Sequence, residues 1–260
     1  MKPTEVASSV YRLGTDWTNF YLVRDGPEYA LVDTGFPDYF ERFERGLAAL
    51  GAALAAVEGV VLTHHHIDHA GAAQRLRLSC GGRVIVHAGD AAAVRGKRRS
   101  YVPPGVVRQC WRPHMIRFLA HGLAAGGARY WPVEAAEQIV DEDQRLDLPG
   151  RPRPIHMPGH TPGHSSVALE ERGVVFCGDA LVNLDCATGQ RGVRLHRFNE
   201  DPATALASLD RLETIDGDTI LFGHGDPWTG PLRRALAQAR ERSGFKPSRR
   251  ATAKADRCVT

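Results

Sequence analysis

The sequence contains no CxxC pair. Its five cysteines, Cys80, Cys110, Cys177, Cys186 and Cys258, are odd in number and widely scattered. That pattern points to neither a structural zinc knuckle nor a disulfide framework, and reduced, mostly buried thiols are expected. Also missing is any run of about 18 to 20 uncharged apolar residues, the length a helix needs to span a bilayer. The opening MKPTEVASSVYRLG lacks the basic-then-apolar order of a secretory leader, so a cytoplasmic location with no membrane partner is expected. Charge imbalance is slight. The net charge of +3 gives no argument for a nucleic-acid partner, and much of the excess lies in the terminal SGFKPSRRATAKADRCVT, so residues 244–260 are expected to be a solvated, disordered tail.

What remains is ordinary globular composition, 43% hydrophobic and 24% charged over 260 residues, enough to bury a substantial core. The runs VYRLG, NFYLVRDG and YALVDTG read as strands parted by polar or Gly/Pro breaks. Phe40, Phe43, Leu47 and Leu50 then recur at helical spacing. GVVLT reads as a short apolar strand, AGAAQRLRLSCGG as a helix with Asp68 as its cap, and RVIVHAGD as a buried strand and turn, which is the βαβ habit of layered α/β proteins. Residues 96–136 are the least regular stretch and are expected to be an irregular insertion serving as a lid, a binding loop or a variable loop. Strands return in QIVDEDQRLDL, RPIHMPGH, SSVALEERGVVFCGD and DTILFGHGD. Helices are expected over DPATALASLDRLET, capped by Asp201 with Pro202 at its first position, and over PLRRALAQARERSG. An α/β single domain over residues 1–243, two sheets sandwiched between helices, fits this order.

Polar residues of one chemical kind recur where these strands end. In THHHIDHAG, His64 and His66 are two apart and leave an extended segment on the same side. Asp68 and His69 begin the next turn. His160 in MPGHTPGHS, Asp179 in VVFCGDA and His224 in ILFGHGD each follow an apolar strand and adjoin a glycine, which lets the backbone turn sharply. Imidazole and carboxylate suit zinc, iron or manganese. Together these seven form a candidate metal clamp at the strand ends, where open α/β sheets gather their sites.

The run His64-His65-His66-Ile67-Asp68-His69 resembles the HxHxDH motif of the metallo-β-lactamase superfamily. GHTPGHS, GD and GHG resemble that family's later metal motifs in order, and VDTG its early Asp-Gly turn. The resemblance covers roughly residues 8 to 230. It implies a four-layered αββα sandwich and a binuclear centre of two divalent ions, zinc first, with iron or manganese as alternatives. Carried over by position, His64, His66 and His160 would hold one ion, Asp68, His69 and His224 the other, and Asp179 would bridge them. A metal-bridged hydroxide would then do the hydrolysis, with Asp68 as the catalytic carboxylate that orients it and relays its proton.

Asp179 in place of cysteine resembles the glyoxalase II, lactonase and phosphodiesterase branches, and His66 stands where the flavodiiron relatives carry glutamate. The expected activity is therefore cleavage of a small ester-like bond, lactone or thioester first, in a small-molecule substrate. The alternatives are a phosphodiesterase or nuclease, a mononuclear-iron sulfur dioxygenase and, from another class, an inactive metal-binding scaffold. An oligomer is left open. His65 and His164 are expected to support the clamp without ligating. Asp33 reads either as a brace for the histidine loop or as a turn-former. Cys177 is expected in the core. Tyr101, Trp111, Met115 and Phe118 read either as an acyl pocket or as packing. His114, His121, His156 and His196 receive no assignment.

Overall fold

The computed structural model describes residues 3–98, 104–129, 131–139 and 144–243. Seven strands form the first sheet in chain order: β1 (Thr4–Ala7), β2 (Val10–Arg12), β3 (Tyr21–Asp25), β4 (Glu28–Val32), β5 (Val57–Val61), β6 (Arg83–His87) and β7 (Glu137–Ile139). The first four pair antiparallel, as short turns permit. From β4 to β7 the pairing is parallel, because each connection crosses over through helices. These are α1 (Phe40–Ala49), then α2 (Ile67–Ala70) and α3 (Ala73–Cys80), then α4 (Ala88–Val94), α5 (Pro104–Gln109) and α6 (Pro113–Ala124).

The second sheet contains β8 (Arg153–His156), β9 (Ser165–Leu169) and β10 (Val174–Gly178). A hairpin of β11 (Leu181–Leu184) and β12 (Arg191–Leu195) stands apart from it. Helix α7 (Pro202–Ser208), β13 (Thr219–Phe222), β14 (Trp228–Thr229) and α8 (Leu232–Arg242) complete the chain, and the sheet order is β14-β13-β10-β9-β8.

Side-chain alternation builds the layers. On β4, Ala30 and Val32 turn inward to meet Val167, Leu169, Val174, Phe176 and Leu221 of the second sheet. Tyr29 and Leu31 turn outward and pack with Phe40, Phe43, Leu47 and Leu76 of α1 and α3. Across the second sheet, Val175, Cys177, Ile220 and Phe222 pack against Leu232, Ala235, Leu236 and Ala239 of α8. Three apolar layers between four layers of secondary structure give the expected αββα sandwich. Each fully buried large side chain contributes on the order of 1.5–3 kcal/mol.

Two local expectations are corrected. Residues 96–136 are not irregular throughout, since α5 and α6 lie within them; a single helical face was obscured because α6 carries apolar residues on more than one side. Asp68 does not cap the helix after the histidine run. It lies inside α2, whose N-cap is His66 without a side-chain cap bond, and its carboxylate turns toward other donors. Asp201 does cap α7, accepting from the Ala203 and Thr204 amides at 3.0 Å each. The tail, residues 244–260, lies outside the described residues.

Candidate metal centre

The seven residues singled out from the sequence converge at one edge of the sandwich, where β5, β10 and β13 and the loop between β8 and β9 end together. His64, His66 and His160 place ring nitrogens within 4.8 Å of one another; Asp68, His69 and His224 bring a carboxylate oxygen and two ring nitrogens as close, and Asp179 forms two further such groups, with His64 and His69 and with His160 and His196. His66 Nδ1 lies 3.1 Å from His64 Nε2 and 3.0 Å from His160 Nε2. On the other side, Asp68 Oδ2 is 3.7 Å from His69 Nε2 and 3.6 Å from His224 Nε2. Asp179 lies between the groups. Its Oδ1 is 3.5 Å from His69 Nε2, and its Oδ2 is 3.1 Å from His224 Nε2 and 3.5 Å from His160 Nε2.

The backbone delivers these groups with little freedom. Gly178 turns the end of β10 at φ 51°, and a Cβ there would sit 2.8 Å from His164 Nε2 and from Thr63. Only glycine lets Asp179 face the cluster at that approach. Asp33, with φ 61°, occupies the left-handed region despite its side chain.

A second layer of partners fixes the rings. Asp33 accepts from the Thr63 amide at 2.7 Å and lies 2.8 Å from His69 Nδ1, so it braces the histidine loop. Thr63 Oγ1 is 3.0 Å from His64 Nδ1, and Asn199 Oδ1 is 3.2 Å from His160 Nδ1. His224 Nδ1 pairs with the Trp17 carbonyl. The Asp179 amide donates to His164 Nε2 at 3.0 Å, so His164 supports the cluster without joining it. With the far nitrogens engaged, the near ones point inward, as metal-holding imidazoles are oriented.

Asp90 was missed by sequence reasoning. Its buried carboxylate accepts from the His65 amide at 3.0 Å, Thr161 Oγ1 at 2.7 Å and the Gly163 amide at 2.8 Å. It also lies 3.0 Å from His65 Nδ1, which accounts for His65 facing away from its neighbours. One side chain thus ties the first histidine loop to the loop carrying His160.

His196 is the second omission. It follows β12, places Nε2 3.5 Å from Asp179 Oδ2, and sets its ring 4.5 Å from that of His160 and 5.8 Å from that of His224. Of the proposed acyl-pocket residues, Phe118 packs edge-on 5.8 Å from the His224 ring. Met115 is buried with Ala187 and Phe198, Trp111 is exposed, and Tyr101 lies outside the described residues. Cys177 is in the core as expected. His121 pairs with the Tyr39 hydroxyl at 2.5 Å, His156 stacks on His87, and the His114 ring packs beside Trp17.

The electrostatics fit a cation site. Burial, aided by His65, pushes His66 down to about 3, and burial with neighbouring histidines holds His64 and His160 well below the ordinary imidazole value. Burial also opposes charge on His69, but Asp179, Asp68 and Asp33 outweigh it and raise the ring to about 9. Against its own burial, Asp179 is held well below the carboxylate range by His224, His69 and His196. His69 Nε2 and Asp179 Oδ1 are buried and without a hydrogen-bond partner. Asp179 likewise holds His224 well above the ordinary imidazole value against its burial. The carboxylates that draw protons onto the His69 and His224 rings would draw a divalent ion of the zinc class in their place, displacing those protons.

The family model described as the metallo-beta-lactamase superfamily matches residues 14–224. The chain is 26% identical over 250 residues to the "probable metallo-hydrolase YflN" of Bacillus subtilis, covering 87% of each. To the hydroxyacylglutathione hydrolase of Cupriavidus taiwanensis it is 32% identical over 205 residues, 78% of this chain and 60% of that one. A metallo-beta-lactamase family protein from Thermus thermophilus superposes with a TM-score of 0.64 at 28% identity, covering 91% of this chain and 78% of that one. The Rm3 metallo-beta-lactamase, at 18% identity and a TM-score of 0.67 over 97% and 94% of the two chains, shares the fold.

Proposed function

The chain belongs to the metallo-beta-lactamase superfamily, and on that premise we propose that it is a metal-dependent hydrolase of a small thioester or lactone. The observation that carries this is Asp179, one buried carboxylate facing both donor groups at 3.1 to 3.5 Å. In this reading His64, His66 and His160 would hold one divalent ion and Asp68, His69 and His224 a second, with Asp179 available to both; zinc would suit the donors best. When bound, such a pair supplies Lewis acidity and lowers the pKa of a water toward neutrality.

The remaining work falls to the chain. Asp68, whose side chain is 14% exposed, is the least buried carboxylate of the cluster and so the one able to orient a water and take its proton. His196 is not needed to complete either donor set, and its Nε2 lies 3.5 Å from Asp179 Oδ2. It is placed to hydrogen-bond the substrate oxygen or the leaving group. Phe118 beside His224 gives an apolar wall for an acyl chain. The relatives named hydroxyacylglutathione hydrolase support a thioester; the chain spans 60% of the length of the Cupriavidus taiwanensis one, and the proposal covers the bond class alone.

The test is hydrolysis of acyl thioesters, lactones, β-lactams and phosphodiesters by zinc-loaded protein, with and without a strong chelator. Chelator-sensitive turnover of thioesters or lactones is expected. Efficient phosphodiester cleavage with no carbonyl-ester turnover would overturn the substrate class.

A further inference from the structure

Helix α6 shows apolar side chains on more sides than it buries. Met115 and Phe118 pack inward, the latter toward His224. Ile116, Leu119 and Leu123, spaced three and four residues apart on one side of the helix, stay exposed, Leu123 at 68%; Val107 in α5 and Trp111 just before α6 are exposed as well, Trp111 at 69%. Single exposed apolar residues are ordinary on a soluble surface, whereas a contiguous set this dense marks a contact surface.

The stretch of chain that carries these residues has charge of one sign. Between Asp90 and Glu134 the sequence has no Asp or Glu, while Arg95, Lys97, Arg98, Arg99, Arg108, Arg112, Arg117 and Arg129 all fall there. Arg98 pairs with Glu200 and Arg129 with Asp38. Arg108 and Arg117 are exposed and make no ion pair among the described residues, and Arg112 lies 5.3 Å over the Trp111 ring. A second copy docked face to face would oppose arginine with arginine and offer no carboxylate from this stretch. A neutral apolar partner would leave the same cations uncompensated.

We propose that the α5–α6 surface rests on an anionic phospholipid interface. Val107, Trp111, Ile116, Leu119 and Leu123 enter the headgroup–acyl boundary, and Arg108, Arg112 and Arg117 meet the phosphates. No helix among the described residues is long and apolar enough to cross a membrane, and none is needed to lie on one. This departs from the sequence-based expectation of no membrane partner. It stands apart from the assignment of the substrate.

The experiment is co-sedimentation of the full chain with vesicles of phosphatidylcholine alone or mixed with phosphatidylglycerol, at low and high salt, alongside light scattering for oligomeric state. Capture by phosphatidylglycerol vesicles, weakened by salt, is expected. Each arginine near such a surface contributes about fivefold in affinity, so Arg108→Glu/Arg117→Glu should lower it roughly thirtyfold or more. Leu119→Glu/Leu123→Glu should abolish it. A thermal melt checks each variant's fold, and Ile116→Ser/Leu123→Ser replaces the glutamate pair if that pair melts early. Three results would overturn the proposal: no capture by anionic vesicles; capture by both vesicle types that the arginine variant leaves unchanged; or a stable dimer dispersed by Leu123→Glu without vesicle binding.

Discussion

The Asp33 carboxylate lies 2.8 Å from His69 Nδ1 while accepting the Thr63 amide at 2.7 Å. One buried group therefore sets both the orientation of a proposed ligand ring and the path of the loop that carries His64, His66 and Asp68. Removing its charge while keeping its shape, as in Asp33→Asn, should weaken zinc affinity about 10- to 100-fold, the usual cost of losing a partner behind a ligand. Competition with a chromogenic chelator reads this directly. Unchanged affinity would reduce Asp33 to a turn-former.

Asp68→Asn keeps an oxygen donor beside His69 and His224 but loses the proton acceptor. Hydrolysis should fall about 10²- to 10⁴-fold, the range for loss of a general base. Metal content measured on the same sample separates this from simple loss of the second ion. Near-normal turnover at full metal content would remove Asp68 from the chemistry.

His196→Ala should leave metal content unchanged, because His196 completes neither proposed donor set. A drop in kcat/KM of about 10²- to 10³-fold is expected, as for deletion of a group that stabilises developing charge, and His196→Gln should recover part of it. Loss of an ion on substitution would make His196 a ligand instead.

Asp90 predicts an acid limb. Burial works against its charge, but His65, Thr161 and the Gly163 amide overcome this and lower its pKa to about 2. A folded pKa below the unfolded value of about 3.9 stabilises the fold above the unfolded pKa, and the gain is lost as pH falls through the folded one. Its size is about 2 kcal/mol. Asp90→Ala should lower the melting temperature at neutral pH and flatten the decline in stability between about pH 4 and pH 2. A parallel decline in the two proteins would contradict this.

The converging residues were legible because each adjoins a glycine or a tight histidine run at the end of an apolar strand, which is local information. His196 carries no such cue. It follows Asp179 by a hairpin whose second strand, RGVRL, alternates no apolar pattern, and only the pairing of β11 with β12 returns it to the cluster. Asp90 is likewise brought to His65 by the packing of β6 beside β5. Asp68 misled for a different reason. A carboxylate at a helix start can cap the helix or turn away from it, and the Asp68 carboxylate faces the adjacent His69 and the distant His224. In α6 the difficulty was apolar content on two sides, which hides a periodicity that a half-buried helix normally displays.

Whether the cluster holds two ions is read by metal analysis of the dialysed, zinc-loaded protein. Seven converging donors around a shared Asp179 predict about two zinc ions per chain, falling to about one or fewer in Asp179→Ala. Retention of no zinc by the intact protein, or of the same amount by both proteins, would contradict the assignment of this cluster as a two-ion centre.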